Sequence, residues 1–246
     1  MDIRLALMAG TDIPIPECQL TLHQPTIKDI AFVGEADFFT GVQTLCLNKS
    51  MFVIGEGKDV LSDVSNFQIF MTIVTDVNTA DKKAAVKKVL QITFPQYNVM
   101  FSPQSLIFSN KKTNETFPID ENSFDFLQDA MKLVFCSKDG PMDQQAFNPA
   151  NAKAKEIAEK LMRGRQRVAA QNGTANASVF GQYLSVLSVG LHLPISTLAE
   201  YTMFQLYDTM ERYALYTNWD IDIRARLAGA KPESQPDNWM KPIHQI

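Results

Sequence analysis

Residues 97–119 read YNVMFSPQSLIFSNKKTNETFPI, and their apolar residues do not follow the helical spacing found on either side. The segments YNVMF, SLIF and ETFPI are rich in aromatic and β-branched residues, a composition that favours strands. The polar run Asn110-Lys111-Lys112-Thr113-Asn114 predicts the turn of a hairpin. This stretch therefore predicts a small sheet inside a largely helical chain.

The rest of the N-terminal part predicts helices and a few short strands. Residues 3–8 and 18–23 have strand-like patterns, separated by a proline-containing loop. Thr26, with Asp29 three residues later, marks one helix start, and Ser65 marks another. Predicted helices cover residues 27–45 with a break at Gly34, 66–77, 81–94 and 122–135.

Beyond residue 136 the composition changes to that of a linker and then of helices. The segment 137–148, SKDGPMDQQAFN, combines Gly, Pro and polar residues. Helices are predicted from Asn148-Pro149 to residue 171, from Ser178 to Leu191, and from a cap at Ser196 or Thr197 to Gly229. The predicted fold class is α+β, with an N-terminal mixed α/β module that holds the small sheet (1–136), a linker (137–148), an all-helical C-terminal module (149–230) and a polar tail (231–246).

Composition is that of an ordinary globular protein and argues against several function classes. The 246 residues are 46% hydrophobic and 20% charged, which allows a sizeable core. A net charge of −4 argues against a general nucleic-acid binder. No run approaches the ~20 apolar residues that span a bilayer, so we expect a soluble protein without membrane contact.

The cysteines and histidines do not predict a metal or cofactor site. Cys18, Cys46 and Cys136 lie far apart, no CxxC pair occurs, and the three histidines have no metal-ligand spacing. We therefore expect reduced, mostly buried thiols, no bound metal and no cofactor.

Every motif that could be catalytic has a simpler structural explanation. Gly55-Glu56-Gly57-Lys58 lacks the spacing of a phosphate-binding loop, and Ser188 and His192 lie outside any GxSxG context. Asp220-Ile221-Asp222 lacks the residues of a calcium loop, and its second aspartate is spaced to pair with Arg226 on a helix. The sequence therefore predicts no catalytic residues, and we do not expect an enzyme.

The helix predicted over residues 153–167, KAKEIAEKLMRGRQR, carries a basic patch with two readings. It is either a solvated helix face with Glu156–Lys160 and Glu159–Arg163 ion pairs, or a contact for phosphates or an acidic partner. The second reading would use the four residues Lys160, Arg163, Arg165 and Arg167.

An aromatic series in the final helix also has two readings. Its residues are spaced three or six apart, so they cover more than one face of a helix. They either pack against the helix at 179–191 or lie partly at an interface with another polypeptide, where aromatic residues are favoured. The predicted partner-binding residues are Tyr201, Phe204, Tyr207, Tyr213, Tyr216 and Trp219, together with Trp239 of the tail.

Two stretches carry a resemblance to a protein family. One is Leu22-His23-Gln24-Pro25-Thr26-Ile27-Lys28-Asp29-Ile30, followed by Gly34-Glu35 and Phe38-Phe39. The other runs from Tyr207-Asp208-Thr209-Met210-Glu211-Arg212-Tyr213 through Trp219-Asp220 to Arg226-Leu227-Ala228-Gly229 and Asp237-Asn238-Trp239. They resemble the tail assembly chaperones and baseplate-hub assembly factors of tailed bacteriophages.

This resemblance implies a non-enzymatic protein that holds a tape-measure or hub polypeptide before the tail is built around it. It also implies self-association, a hydrophobic client and activity in the cytoplasm of the infected bacterial host. The chain departs from the commoner short chaperones in its length and its 97–119 hairpin. Two alternatives therefore stay open: a tail, neck or connector subunit retained in the virion, and a nucleic-acid-associated phage protein that uses the 153–167 helix.

Overall fold

Helices and two small antiparallel sheets make up the part of the chain that the computed structural model describes. This part comprises residues 2–48, 64–102, 104–137, 178–230, 235–236, 238–241 and 243. Both sheets lie in the N-terminal part, and the elements described after residue 178 are helices. The predicted α+β class is therefore confirmed.

The first helix, α1 (Ile3–Ala9), lies where a strand was predicted over residues 3–8, so that prediction was wrong. Asp2 caps the helix by accepting a hydrogen bond from the Leu5 backbone N–H. Gly10 ends it in the left-handed conformation, with a φ of 66°. Leu, Ala, Met and Arg are strong helix formers, so propensity and two end signals outweigh a short apolar pattern.

A short hairpin follows α1. Its strands β1 (Ile13–Ile15) and β2 (Leu20–Leu22) pair antiparallel through a 3-10 turn at Pro16–Cys18. The strand predicted over 18–23 is thereby confirmed, in shorter form. The residues at both ends of each strand are buried, so the hairpin covers one side of the core.

The next two helices, α2 (Ile27–Val33) and α3 (Glu35–Leu45), confirm the prediction for residues 27–45. Thr26 and Asp29 form a reciprocal capping box at the start of α2. Gly34 separates the helices with a φ of 94°, a conformation that favours glycine.

A helical pair comes next, α4 (Asn66–Thr75) and α5 (Ala80–Thr93), and Ser65 caps α4 as predicted. α3 lies directly against α5 because Gly41 has no side chain. A Cβ at this position would lie 2.7 Å from the Ala85 carbonyl oxygen, too close for any other residue without a backbone shift.

The second sheet confirms the strands and the turn predicted within residues 97–119. Its strands β3 (Tyr97–Ser102), β4 (Ser105–Asn110) and β5 (Thr116–Ile119) pair antiparallel in chain order. Helix α6 (Glu121–Val134) follows, with Asp120 as its N-cap. Hydrogen bonds donated by Ser123 hold the pKa of the Asp120 carboxyl below its usual value, which favours the charged cap.

The C-terminal part consists of α7 (Val179–Leu191), α8 (Ile195–Ala199) and α9 (Met203–Leu227). Gly229 follows α9 with a φ of 97°, as expected of a helix stop. The long helix was predicted to start at Ser196 or Thr197, and that prediction was wrong.

The true start of α9 is Thr202, whose side chain forms a capping box with Gln205. Thr202 also pairs with Thr26 in an isolated antiparallel bridge, and the Ile27 N–H donates to the Tyr201 carbonyl oxygen at 2.9 Å. This contact with the start of α2 interrupts the helix, and sequence spacing alone does not reveal it.

One hydrophobic cluster contains residues from both the N-terminal elements and α7–α9. Phe38 of α3 lies edge-on to Phe135 at 5.3 Å and to Phe180 of α7 at 6.1 Å between ring centroids. Glu35 accepts a hydrogen bond from the Val179 N–H at 2.7 Å, which fixes the start of α7. The division into modules stays a prediction, because residues 138–148 of the linker lie outside the described residues.

The thiols lie as expected for reduced structural cysteines. Cys18 and Cys46 are buried, Cys136 is half-buried, and none of the three is in a disulfide. Burial raises the pKa of the Cys18 thiol to about 11 and that of Cys46 to about 12, so both are neutral near pH 7. Among the described helices, none is both long enough and apolar enough to cross a membrane.

Candidate protein-binding surface

Helix α9 changes its surroundings along its length. Its buried residues, Met203, Phe204, Leu206 and Asp208, all lie in the first two turns. From residue 209 to Leu227, about 28 Å of helix at 1.5 Å per residue, every side chain is half-buried or exposed. We call residues 203–208 the inner segment and residues 209–227 the outer segment.

The predicted site residues of the inner segment and its approach lie mainly in the core. Phe204 is 3% exposed and belongs to the hydrophobic cluster. Tyr201 is half-buried, and its backbone oxygen holds the start of α2. Tyr207 is half-buried, with its ring edge-on to Tyr183 of α7 at 5.5 Å between centroids. These three residues position α9 on the rest of the chain.

Tyr213 marks where α7 still reaches the outer segment. Its ring lies against Gly190, where a Cβ would overlap the ring carbons. Gly190 therefore lets α7 and α9 approach closely at this point. One helical turn further along α9, aromatic contacts are made with the tail instead.

Tyr216, Trp219 and Trp239 form a separate group of three rings, the outer aromatic cluster. The centroid distances are 5.4 Å for Tyr216–Trp239, 6.1 Å for Tyr216–Trp219 and 6.4 Å for Trp219–Trp239. These separations are those of favourable edge-to-face and tilted ring pairs. Two distant predicted residues, Trp219 and Trp239, are thus brought together.

Arg212 holds the tail on α9 and was missed by sequence reasoning. Its guanidinium Nη1 donates to the backbone oxygens of Trp239 and of Lys241, the latter at 2.9 Å. Arg212 is one helical turn before Tyr216, so the two side chains lie on the same face. The i,i+4 spacing of Arg212 and Tyr216 is the only signal for this role in the sequence. It does not identify the distant segment that the arginine binds.

Apolar side chains continue past the outer aromatic cluster into solvent. Ile221 is 60% exposed, Leu227 is 84% exposed, and Met240 of the tail is 66% exposed. Scattered exposed apolar residues are normal on proteins. The outer segment and tail also contain arginine, tyrosine and tryptophan, the residue types that are enriched at protein interfaces.

The charged residues near the end of α9 form ion pairs along the helix. Arg224 lies 2.8 Å from Asp220, and Arg226 lies 2.9 Å from Asp222, so the predicted Asp222–Arg226 pair is confirmed. Their i,i+4 spacing supports the helix where it has few tertiary contacts. These carboxylates have a structural role in the described chain.

Other candidate groups also have structural contacts. The Ser188 hydroxyl donates to the Leu193 carbonyl oxygen at 2.7 Å, and His192 lies at the left-handed end of α7. Within the described residues, no three His, Cys, Asp or Glu side chains are grouped to hold a metal ion. The 153–167 helix, with Lys160, Arg163, Arg165 and Arg167, lies outside the described residues.

Comparison with protein-family models gives a match for the C-terminal part of the chain. Residues 174–244 match the model of the YomV second domain, a phage-associated domain family. The match covers less than a third of the chain, but it spans α7, α8, α9 and the tail, and so contains the outer aromatic cluster and Arg212. No curated protein and no solved structure matches the chain.

Proposed function

We propose that this chain is a non-enzymatic bacteriophage protein that acts in tail or hub assembly by binding another phage polypeptide through the outer segment of α9. The single observation that carries this proposal is the outer segment itself. It groups the rings of Tyr216 and Trp219 with that of Trp239, on a helix whose outer turns have no buried residue in the described structure. The phage-associated match to residues 174–244 supports the phage assignment.

The energetics of interfaces favour this surface over the other exposed apolar residues. Tryptophan, tyrosine and arginine dominate the binding energy of most protein interfaces. The outer segment and tail combine all three types in Arg212, Tyr216, Trp219 and Trp239. By contrast, Phe32 of α2 is 92% exposed and has no ring contact in the described structure, so it offers a matched reference outside the surface.

The proposed mechanism is reversible coverage of a client. The aromatic rings would cover apolar stripes of a long helical polypeptide, such as a tape-measure or hub protein, until assembly displaces them. Shape and apolar area would supply the affinity, and no covalent step, metal or cofactor is required. The place of action would be the cytoplasm of the infected host, and self-association of the chain is part of the proposal.

The test is a pull-down of tagged full-length protein from phage-infected cells, together with mass spectrometry of purified virions. Recovery of a tape-measure or hub protein, with this chain absent from virions, is the expected result. Trp219→Ala should lower that recovery at least about tenfold, the factor that a hot-spot truncation of 1.4 kcal/mol or more would produce. Phe32→Ala should leave it unchanged.

Three outcomes would contradict the proposal in different ways. Recovery of this chain from virions would make it a structural subunit. Equal recovery by both alanine variants would remove the outer segment as the binding surface. Failure to capture any phage polypeptide, with salt-sensitive capture of nucleic acid instead, would favour the basic 153–167 helix.

A further inference from the structure

The tail contact on α9 is made in a way that a foreign polypeptide can reproduce. Arg212 binds two backbone carbonyl oxygens, those of Trp239 and Lys241, and every peptide segment has such oxygens. The only side chain of the described tail residues with a ring contact is Trp239, which packs on Tyr216 and Trp219. The described tail residues form a turn, closed by a hydrogen bond that the Lys241 N–H donates at 3.1 Å. Recognition therefore requires a backbone turn and one aromatic ring.

We propose that the cleft formed by Arg212, Tyr216 and Trp219 is a binding site for a polypeptide segment that forms a turn and carries an aromatic side chain, and that the tail occupies it until a partner segment displaces it. The occupant is defined by the chemistry of the seated tail: two carbonyl oxygens for the guanidinium and a ring for the two aromatic side chains. The proposal rests on the proposed function only in taking the displacing segment to belong to a phage polypeptide.

The described tail residues lie at the surface, where a competing segment can reach them. Met240, between the two residues that Arg212 binds, is 66% exposed, and Lys241 is also exposed. The ten residues from Gly229 to Trp239 can span at most about 33–36 Å. This reach exceeds the distance of about 17 Å along the helix from Leu227 back to Tyr216. The tail can therefore leave the cleft without any change in α9.

Tethering sets how strongly the tail competes. A segment tethered to its site through a short linker competes at an effective concentration on the order of millimolar. A free segment of the same chemistry competes with the attached tail for the cleft. Its apparent affinity is therefore its intrinsic affinity multiplied by the fraction of molecules whose cleft is open. A variant with a weakened tail should bind the free segment more tightly than the wild-type chain does.

The experiment uses a fluorescein-labelled peptide of residues 235–243, QPDNWMKPI, and full-length protein. Trp239→Ala removes the ring of the attached tail and leaves the cleft intact. Fluorescence anisotropy should show that this variant binds the peptide at least about tenfold more tightly than wild type. A peptide with alanine in place of tryptophan should not bind, and Arg212→Ala in the Trp239→Ala background should weaken binding of the original peptide at least about tenfold.

A second measurement is needed in case the tail backbone of the Trp239→Ala variant stays bound to Arg212 and still blocks the cleft. The chain has two tryptophans, so in Trp219→Phe only Trp239 emits. Saturating unlabelled peptide with phenylalanine in place of its tryptophan should displace the tail and increase acrylamide quenching of Trp239. Unchanged circular dichroism and Tm of all variants control for folding.

Binding or displacement in either measurement supports the cleft. No binding to Trp239→Ala together with no displacement in Trp219→Phe, both at millimolar peptide, overturns it. If the peptide binds but no phage polypeptide is captured from infected cells, the cleft stands and the proposed function fails. If a phage polypeptide is captured from infected cells, Arg212→Ala does not change that capture, and the peptide does not bind, the proposed function stands and the cleft fails.

Discussion

The inner and outer segments of α9 both contain aromatic residues, but their surroundings differ. Phe204 in the inner segment contacts residues of the shared core, whereas Tyr216 and Trp219 in the outer segment contact each other and Trp239 of the tail. Both segments belong to one uninterrupted helix, so helix formation does not distinguish them. Only the elements packed against each segment decide whether its aromatic residues stabilise the fold or are available for binding.

The largest difference in stability is expected between two matched truncations, Phe204→Ala in the inner segment and Tyr216→Ala in the outer segment. Removing the buried Phe204 ring leaves a cavity and should lower the free energy of unfolding by about 3–5 kcal/mol. Tyr216 is 43% exposed, so its truncation should cost about 1 kcal/mol or less. Urea unfolding followed by far-UV circular dichroism measures both, and equal losses would show that the outer segment is as much a part of the core as the inner one.

An intermediate effect is expected where α7 stops supporting α9. Gly190→Ala places a methyl group against the Tyr213 ring and should cost about 1–3 kcal/mol of unfolding free energy. Ser185→Ala at an exposed position of the same helix should stay within about 0.5 kcal/mol.

The double variant Gly190→Ala/Tyr213→Leu identifies the cause of that loss. If the ring overlap is responsible, the two changes couple, and their combined cost is smaller than the sum of the separate costs. Strict additivity, measured in the same unfolding experiment, would place the damage elsewhere in α7.

The smallest effect concerns the two buried thiols of the N-terminal part of the chain. The folded-state pKa values of Cys18 and Cys46, about 11 and about 12, lie above the ordinary value of 9.0. A raised pKa means that the folded state holds the proton more tightly, so this stability is present below pH 9 and is lost as pH rises through 11 to 12.

The urea midpoint measured between pH 8 and pH 11 should therefore fall less in Cys46→Ala than in wild type. Identical pH dependence in the two proteins would exclude the thiol as a cause. At pH 8, a thiol reagent should label the half-buried Cys136 before Cys18 and Cys46.

Local signals in the sequence predicted much of the fold. Thr26, Ser65 and Gly34 mark real helix boundaries, because caps and left-handed positions depend on a few neighbouring residues. The strand error at residues 3–8 came from reading a short apolar run as a strand although its end signals were helical. The error at the start of α9 has another origin, since Thr202 is set by a bridge to Thr26, which is 176 residues away.

The candidate site was predicted less completely than the fold. The aromatic series indicated a binding surface but did not separate Phe204 in the core from Trp219 in the outer segment. Arg212 was missed because its partners are backbone oxygens of the tail, and no side-chain pattern identifies those.

The sequence by itself determined the α+β class, the helix caps at Thr26 and Ser65, the turn at residues 110–114 and the aromatic content of α9, since these depend on neighbouring residues and on apolar periodicity. Only the tertiary structure decided where α9 begins, which of its rings are buried, and that Arg212 holds the tail across Tyr216 and Trp219. Those outcomes depend on contacts between residues far apart in the chain, and burial is a property of what packs against a side chain rather than of the side chain alone.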